Sequence, residues 1–161
     1  MLSQVELELE RLLDYCPDTG KLFWKERPSN RVRVGEEAGS TCNGYLAVKV
    51  SGNRMYAHRV AWWFHNREWP EVVDHINGDT KDNRIVNLRS GSQEQNAGNR
   101  RRAQGSNRML GVTRSGRMGK PYRAQITIKG VNRTIGYFDS EETAHQAYLE
   151  TKRREHDFCT I

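Results

Sequence analysis

Residues 72–96, VVDHINGDTKDNRIVNLRSGSQEQN, contain the pattern that decides the fold. An apolar pair leads into Asp74-His75, and the loop that follows is rich in Gly, Asp and Asn. A second apolar segment, residues 85–88, precedes a Ser-Gly-Ser break, after which a helix is expected to begin near Ser92. The order predicts strand, loop, strand and helix. The polar side chains expected to converge on this frame are Asp74, His75, Asn87 and Asn96.

These residue types suit the hydrolysis of a phosphodiester. Histidine is the natural general base because its ordinary pKa lies near neutrality. Oxygen ligands from Asp74 and Asn96 would suit one hard divalent cation, Mg²⁺ or Mn²⁺, and would leave positions for water and phosphate. Adjacent strand positions point to opposite faces, so Asp74 and His75 can share a site only if the strand ends there. Residues 76–78, Ile-Asn-Gly, supply that break.

Two simpler interpretations of this stretch compete with that one. A histidine after an aspartate is usually a surface or turn residue, and Asn-Gly-Asp is an ordinary turn. An acidic loop with a glycine could also bind Ca²⁺, but residues 74–78 lack the spacing of an EF-hand loop. The ordered set of four polar residues favours the hydrolytic site over both.

The same residues resemble the HNH nuclease motif, which has a ββα-metal fold. The matching positions are Asp74-His75, Asn87 before Leu88, Asn96 on the helix and the flanking AHRVAW of residues 57–62. An Asn in place of the second His resembles the variant found among phage homing endonucleases. The resemblance implies His75 as general base and Asp74 and Asn96 as metal ligands. It also implies that Asn87 holds the loop and orients His75.

Composition limits the class of protein. With 161 residues, 35% of them hydrophobic, one or two small domains are expected. The net charge of +6 indicates a polyanionic partner. No apolar run approaches the roughly 20 residues that span a bilayer, and the acidic N-terminus is no signal peptide, so no membrane association is expected. Three widely spaced cysteines without a C-x-x-C pair predict free thiols, no structural zinc and a reduced, cytoplasmic compartment.

The N-terminal region should supply short helices and hairpins. The pattern predicts a helix over residues 3–13 with a Ser3–Glu6 capping box, a strand over 21–24, a hairpin over 45–56 and a helix over 58–65. His58 would begin that last helix. A structural role with a satisfied ring is favoured for it over a phosphate contact near the metal, because it lacks metal-ligand spacing.

Between Glu94 and Asp139 the chain has ten Lys and Arg residues and no acid. A stretch of one sign repels itself unless something negative neutralises it, and a phosphate backbone is the obvious partner. The candidate DNA contacts, all of them from this stretch, are Arg100, Arg101, Arg102, Arg114, Arg117, Lys120, Arg123, Gln125 and Arg133.

The C-terminal segment should form three strands and a helix, over residues 110–114, 122–128, 131–138 and about 140–156, with Asp139 and Glu142 as the helix-capping pattern. The second strand alternates cleanly, with Arg123, Gln125 and Thr127 on one face. We expect the other face to pack on the helix and this one to meet DNA.

This segment resembles the Apetala-two-type DNA-binding domain of plants, which is also found fused to phage HNH nucleases. The matching residues are Gly111-Val112, Tyr122–Ile126, Ile135–Phe138 and Glu141–Tyr148. The resemblance implies a three-stranded sheet laid in the major groove. Arg114, Arg123 and Gln125 are the strongest candidate contacts, and the place of Arg133 depends on whether Gly136 shifts the strand's alternation.

The sequence therefore predicts an α+β fold. A small N-terminal β/α region with a ββα-metal nuclease core (residues 1–103, catalytic core about 56–100) precedes a linker (104–109) and a three-stranded antiparallel sheet packed on one helix (110–161). The expected function is a metal-dependent homing endonuclease that nicks duplex DNA, as a monomer or weak dimer without a small-molecule cofactor. If the gene is phage-borne, as the resemblance implies, the enzyme would act in the bacterial host cytoplasm. Alternatives are a non-catalytic DNA-binding protein or repressor and an RNA-processing enzyme. Exposed stacking aromatics, typical of RNA-binding sheets, are missing from the face of residues 123–127.

Overall fold

The computed structural model describes residues 2–98 and 109–156. The chain divides into two compact units, residues 1–91 and 92–161. The boundary lies before the catalytic-core helix, whereas the sequence predicted a linker at 104–109. Most of that linker lies outside the described residues. The mixed α and β content expected from the sequence is confirmed.

The first unit begins with helix α1 (Gln4–Leu12) and a hairpin of β1 (Leu13–Cys16) and β2 (Lys21–Trp24). The predicted capping box is present: the Ser3 hydroxyl accepts from the Glu6 amide, and the Glu6 carboxylate accepts from the Ser3 amide. The chain leaves the helix one residue earlier than predicted. Leu13 is already extended and pairs with Trp24, and its side chain is fully buried.

A second sheet carries helix α2 (Ala57–Asn66). Its strands are β3 (Ser40–Cys42), β4 (Tyr45–Val50) and β5 (Asn53–Tyr56), in the order β3-β4-β5. The alternating pattern of residues 45–56 predicted the β4–β5 hairpin, and the structure confirms it. Leucines of α1 and β2, valines of β4, and Val60 and Trp63 of α2 form the main core. Burial of this apolar surface is what holds these short elements together.

The stretch that defines the site forms a third, two-stranded sheet of β6 (Val72–His75) and β7 (Leu88–Gly91). The second strand was predicted at residues 85–88, and this was wrong. Ile85–Asn87 closes into a 3₁₀ turn because the Asn87 amide donates to the Arg84 carbonyl, at 2.9 Å. Pairing therefore starts at Leu88, opposite His75, and takes in part of the expected Ser-Gly-Ser break.

The second unit contains helix α3 (Gln93–Gly98), a sheet of β8 (Val112–Arg114), β9 (Tyr122–Ile128) and β10 (Val131–Phe138), and helix α4 (Glu141–Glu155). The sheet order is β10-β9-β8, all antiparallel. Ser140, and not Asp139, caps α4, because its hydroxyl accepts from the Thr143 amide. Val112, Ala124 and Ala144 form the buried core between sheet and helix.

Gly111 explains why the first strand of this sheet starts later than predicted. Its φ of +77° turns the chain just before Val112. A Cβ on this residue would lie 2.0 Å from the Tyr148 ring of α4. Only glycine permits both the backbone conformation and this close approach of loop and helix.

No helix among the described residues is long and apolar enough to cross a membrane.

Candidate active site

The candidate site is built where β6 ends. Asp74 pairs across the sheet with Arg89, and His75 pairs with Leu88. The strand stops at His75 because the Gly78 amide donates back to its carbonyl and Gly78 has a φ of +76°. The side chain of His75 is almost fully buried, at 4% exposure.

The ring of His75 is held on one side by Asn83. Its Nε2 lies 2.9 Å from Oδ1 of Asn83, whose side chain is 1% exposed. An amide oxygen can only accept, so Nε2 bears the hydrogen in this arrangement, and in the neutral ring Nδ1 carries the lone pair. The rings of His58 and Tyr45 lie on other sides, with centroids 5.0 and 6.2 Å from that of His75. The geometry leaves Nδ1 as the nitrogen able to take a proton.

Asn87 holds the loop between the two strands. Its Oδ1 accepts from the Asn77 amide at 2.9 Å, and its Nδ2 donates to the Asp82 carbonyl at 2.7 Å. The side chain is 6% exposed, so both bonds are shielded from water. The resemblance implied that Asn87 also orients His75. The imidazole instead donates its hydrogen bond to Oδ1 of Asn83, a residue that sequence reasoning missed.

The rest of the loop is a chain of short polar contacts. Asp82 is paired with Arg84 at 2.6 Å, and hydrogen bonding from this guanidinium lowers the pKa of Asp82 to about 2. The carboxylate also accepts from the Asn77 side chain at 2.8 Å. The loop is rich in Asn and Asp, so residue type alone does not set Asn83 apart from its neighbours. No spacing in the sequence predicts that Asn83 is the residue whose side chain is buried.

Asp74 is part of an ion pair. Its Oδ2 accepts from both Nη2 and Nε of Arg89, at 2.8 and 3.2 Å, and both side chains are largely buried. Hydrogen bonds to a ligating carboxylate commonly fix its orientation at metal sites. The ion pair with Arg89 therefore fixes this oxygen of Asp74 at the end of β6.

The two predicted metal ligands, Asp74 and Asn96, lie in different units of the chain. Asn96 lies on α3 in the second unit, with an exposed side chain. Within residues 2–98 and 109–156, no three His, Cys, Asp or Glu side chains are grouped so as to hold a metal ion. A protein shell of one carboxylate and one amide oxygen suits Mg²⁺ or Mn²⁺, which retain several waters, and does not suit a structural zinc.

His58 is more deeply involved than the sequence suggested. Its ring is 7% exposed and stacks on Tyr56 at 5.6 Å. The expectation of a satisfied ring was wrong, since Nδ1 is buried without a hydrogen-bond partner among the described residues. Burial, and then the charges of His75 and Arg59, lower the pKa of His58 to about 3. His58 is therefore neutral wherever the protein would work.

In the second unit, strand register decides which candidate DNA contacts share a face. Residues directly opposite one another in a sheet point to the same side. Arg123 is opposite Thr113 and Tyr137, and Gln125 is opposite Thr134. These side chains lie on the face away from the buried Ala124, with Thr127 exposed beside them.

Arg114 and Arg133 lie on the other face. Arg114 is opposite Tyr122, with its guanidinium 5.9 Å from the ring centroid, and Arg133 is opposite Ile126. The shift that Gly136 suggested is present, between Thr134 and Gly136, but it comes after Arg133 and leaves that residue on the helix side.

The loop between β8 and β9 adds charge to the open face. The guanidinium of Arg117 lies 4.0 Å from the centroid of the Tyr137 ring, and Lys120 is exposed. Arg100, Arg101 and Arg102 lie outside the described residues. The structure thus places Arg117, Arg123 and Gln125 together and separates Arg114 and Arg133 from them.

Comparison with known proteins gives one positive result. Residues 55–98 match the family model described as HNH endonuclease. No curated protein matches the chain, and no solved structure does. The matched segment runs from β5 to the end of α3 and includes every residue of the candidate active site named above except Tyr45. The chain therefore contains an HNH endonuclease domain, which supports a nuclease that acts on DNA.

Proposed function

We propose that this protein is a metal-dependent endonuclease of the homing type that nicks duplex DNA, with His75 as general base. One observation carries the proposal. Asn83 accepts a hydrogen bond from Nε2 of His75, at 2.9 Å, and this favours the neutral tautomer whose lone pair is on Nδ1, within an HNH domain. A base must present a lone pair to water, and this tautomer does so.

In the proposed reaction, Nδ1 of His75 takes a proton from a water molecule as the water oxygen attacks phosphorus. The bond between phosphorus and the 3′-oxygen breaks, and solvent supplies the proton that completes the 3′-hydroxyl. The other product is a 5′-phosphate. The aromatic rings of Tyr45 and His58 pack around the imidazole and shield it, which limits competing protonation from bulk solvent.

Asp74 and Asn96 would hold the divalent cation. When bound, such an ion neutralises charge that develops on the phosphoryl and leaving oxygens. The pair between Arg89 and Oδ2 of Asp74 fixes the carboxylate on β6. Asn87 keeps the loop closed, so that His75 and Asp74 stay at the end of one strand.

The second unit would bind the duplex through its open sheet face. Arg117, Arg123 and Gln125 share that face, and an arginine can contact either phosphates or guanine edges in the major groove. Two observations support this face as the DNA-binding surface: the basic stretch between Glu94 and Asp139 has no acid, and this side of the sheet is not covered by α4. One candidate site within the described part of the chain supports a nick by a monomer. The homing type and the phage host rest on resemblance.

The test is a supercoiled-plasmid assay with Mg²⁺, Mn²⁺ or EDTA, on plasmid that carries DNA flanking this protein's own gene. Metal-dependent conversion to open circle is expected for the wild type. His75→Ala should reduce the rate by about 100-fold or more while DNA binding is retained. His65→Ala is the matched control, because His65 is an exposed residue of α2.

Two other results would change the conclusion. Linear product would indicate paired cuts by a dimer. Plasmid that is retarded but uncut with every metal would favour the non-catalytic DNA-binding alternative. The metal ligands are tested without turnover by Mn²⁺ binding calorimetry. Asp74→Asn and Asn96→Ala should each weaken Mn²⁺ binding, and Asp14→Asn, an exposed carboxylate of β1, should leave it unchanged.

A further inference from the structure

We propose that the β1–β2 turn, defined as residues 15–20 so as to include the flanking Tyr15, is a positioning element for His75 and acts through Asn83. The inference rests on the proposed function, because the position of His75 matters for catalysis only if His75 is the general base. The turn lies outside the segment that matches the HNH family, residues 55–98. It would therefore be a feature that this chain adds to its nuclease domain.

Asn83 is the direct support of His75, and its own side chain is poorly anchored. Oδ1 faces the imidazole at 2.9 Å, but Nδ2 is buried without a hydrogen-bond partner among the described residues. A buried side chain with one hydrogen bond takes its position largely from its backbone. The position of Oδ1 must therefore be set by the backbone of Asn83, which is where the hairpin makes contact.

Three contacts from the hairpin reach the backbone of residues 83–85. The Tyr15 hydroxyl donates to the Asn83 carbonyl at 2.8 Å. The Ile85 amide donates to the Pro17 carbonyl at 3.2 Å. Burial raises the pKa of Tyr15 well above its ordinary value, so the hydroxyl remains a donor at any working pH. Two hydrogen bonds of opposite direction, one on each side of residue 84, fix this part of the loop.

Gly20 provides the third contact and the closest. A Cβ at this position would lie 2.4 Å from the Arg84 nitrogen and 2.5 Å from the Asn83 carbonyl carbon. Both atoms are backbone, so a side chain here could be accommodated only by moving the loop. Gly20 also has a φ of +73°, and its amide donates to the Cys16 carbonyl at 2.9 Å, which closes the turn. The hairpin and the loop are thus in direct backbone contact.

A small displacement here should matter more for chemistry than for folding. A misplacement of about 1 Å at a reacting group can reduce a rate about 100-fold, while binding of a long DNA substrate depends on many other contacts. Gly20→Ala is expected to lower kcat by about 10- to 100-fold with little change in KM. Gly52→Ala is the matched control, since Gly52 also has a positive φ, +83°, but has open space around its Cβ position.

The second readout is the tautomer of His75, measured by ¹⁵N–¹H correlation NMR on the full chain at pH 8.5. The wild type and Gly52→Ala should show hydrogen on Nε2. Asn83→Leu should lose this preference, and Asn83→Asp, which keeps an oxygen acceptor, should retain it. Tyr15→Phe should shift the population toward the other tautomer and lower kcat. It serves as the second variant if Gly20→Ala does not fold.

The outcomes separate this inference from the proposed function. If wild-type protein fails to cut any DNA, the nuclease proposal fails, and the NMR comparison still decides whether the turn positions His75. If Gly20→Ala and Tyr15→Phe both keep the wild-type tautomer and kcat, the positioning role is overturned. A merely structural role would lower the urea midpoint of both variants and leave the tautomer and kcat of the folded protein unchanged.

Discussion

Acidification should destabilise the first unit through His58. The imidazole is 7% exposed and packs against His75, Tyr45 and Tyr56. Burial, followed by the charges of His75 and Arg59, lowers its pKa from 6.5 to about 3. In the unfolded chain nothing imposes this, and the pKa returns to about 6.5.

The sign follows from which state binds the proton. Above pH 6.5 His58 is neutral in both states and contributes no pH dependence. Below pH 6.5 His58 binds a proton in the unfolded chain but not in the folded unit. The free energy of unfolding therefore falls as the pH falls, down to about pH 3. At about 1.4 kcal/mol per pH unit, the loss is about 3 kcal/mol at pH 4.5 and about 4 kcal/mol at pH 3, where the folded unit begins to bind the proton as well. Small domains have about 5–15 kcal/mol of stability in all, so this loss is large.

The measurement is urea unfolding at several pH values between 7.5 and 4.5, followed by tryptophan fluorescence. All four tryptophans lie between residues 24 and 69, so the signal reports the first unit alone. A loss of about 3 kcal/mol should lower the urea midpoint by roughly 1–3 M. His58→Phe keeps an aromatic ring in place and should flatten the dependence. His65→Phe, at an exposed position of the same helix, should retain it. If wild type and His58→Phe lose stability in parallel, His58 is not the cause.

Three further predictions concern DNA binding and folding. Arg123→Ala should weaken duplex binding and reduce its salt dependence, measured by fluorescence anisotropy over a salt series, whereas Arg133→Ala on the opposite sheet face should change both less. Gly111→Ala should unfold or strongly destabilise the second unit, and Gly119→Ala, with a similar φ of +76° and open space, should not, as judged by circular dichroism. Hydrogen bonding, first to the Ser3 backbone, lowers the pKa of Glu6 to about 2, so the ionised carboxylate stabilises the fold and this stability is lost as the pH falls from 4.5 to about 2. Glu6→Gln should therefore show a smaller loss of stability over this pH range than the wild type, measured by tryptophan fluorescence.

The elements that the sequence predicted well are those with local signals. The capping box of Ser3 and Glu6 located the start of α1. Period-two alternation with Gly-containing turns located β4, β5, β9 and β10, because a strand with one buried face must alternate. The order of β6, loop, β7 and α3 also followed from apolar segments and breaks, although the 3₁₀ turn over Ile85–Asn87 displaced the second strand by three residues.

The contacts that the sequence could not supply depend on pairing between distant segments. Arg114 looked equivalent to Arg123 as a DNA contact, and only the register of β8 on β9 places it opposite Tyr122, on the helix side. Asn83 is one of several polar residues in its loop. Its side chain is buried, and residues of the β1–β2 hairpin, more than 60 positions away, contact its backbone. Nothing in the local pattern encodes that contact.

Two unsatisfied polar atoms argue that the surroundings of His75 are built for chemistry and not for stability. Nδ1 of His58 and Nδ2 of Asn83 are both buried without a hydrogen-bond partner among the described residues, and both side chains contact His75. Each unsatisfied group costs about 1–3 kcal/mol, and an apolar replacement of similar shape removes that cost. A protein tolerates such groups mainly where function requires them. If Asn83→Leu raises the urea midpoint of the first unit while it abolishes cleavage, Asn83 lowers the stability of the unit and is needed for the function of His75. If Asn83→Leu lowers the midpoint, Asn83 stabilises the fold and this argument fails.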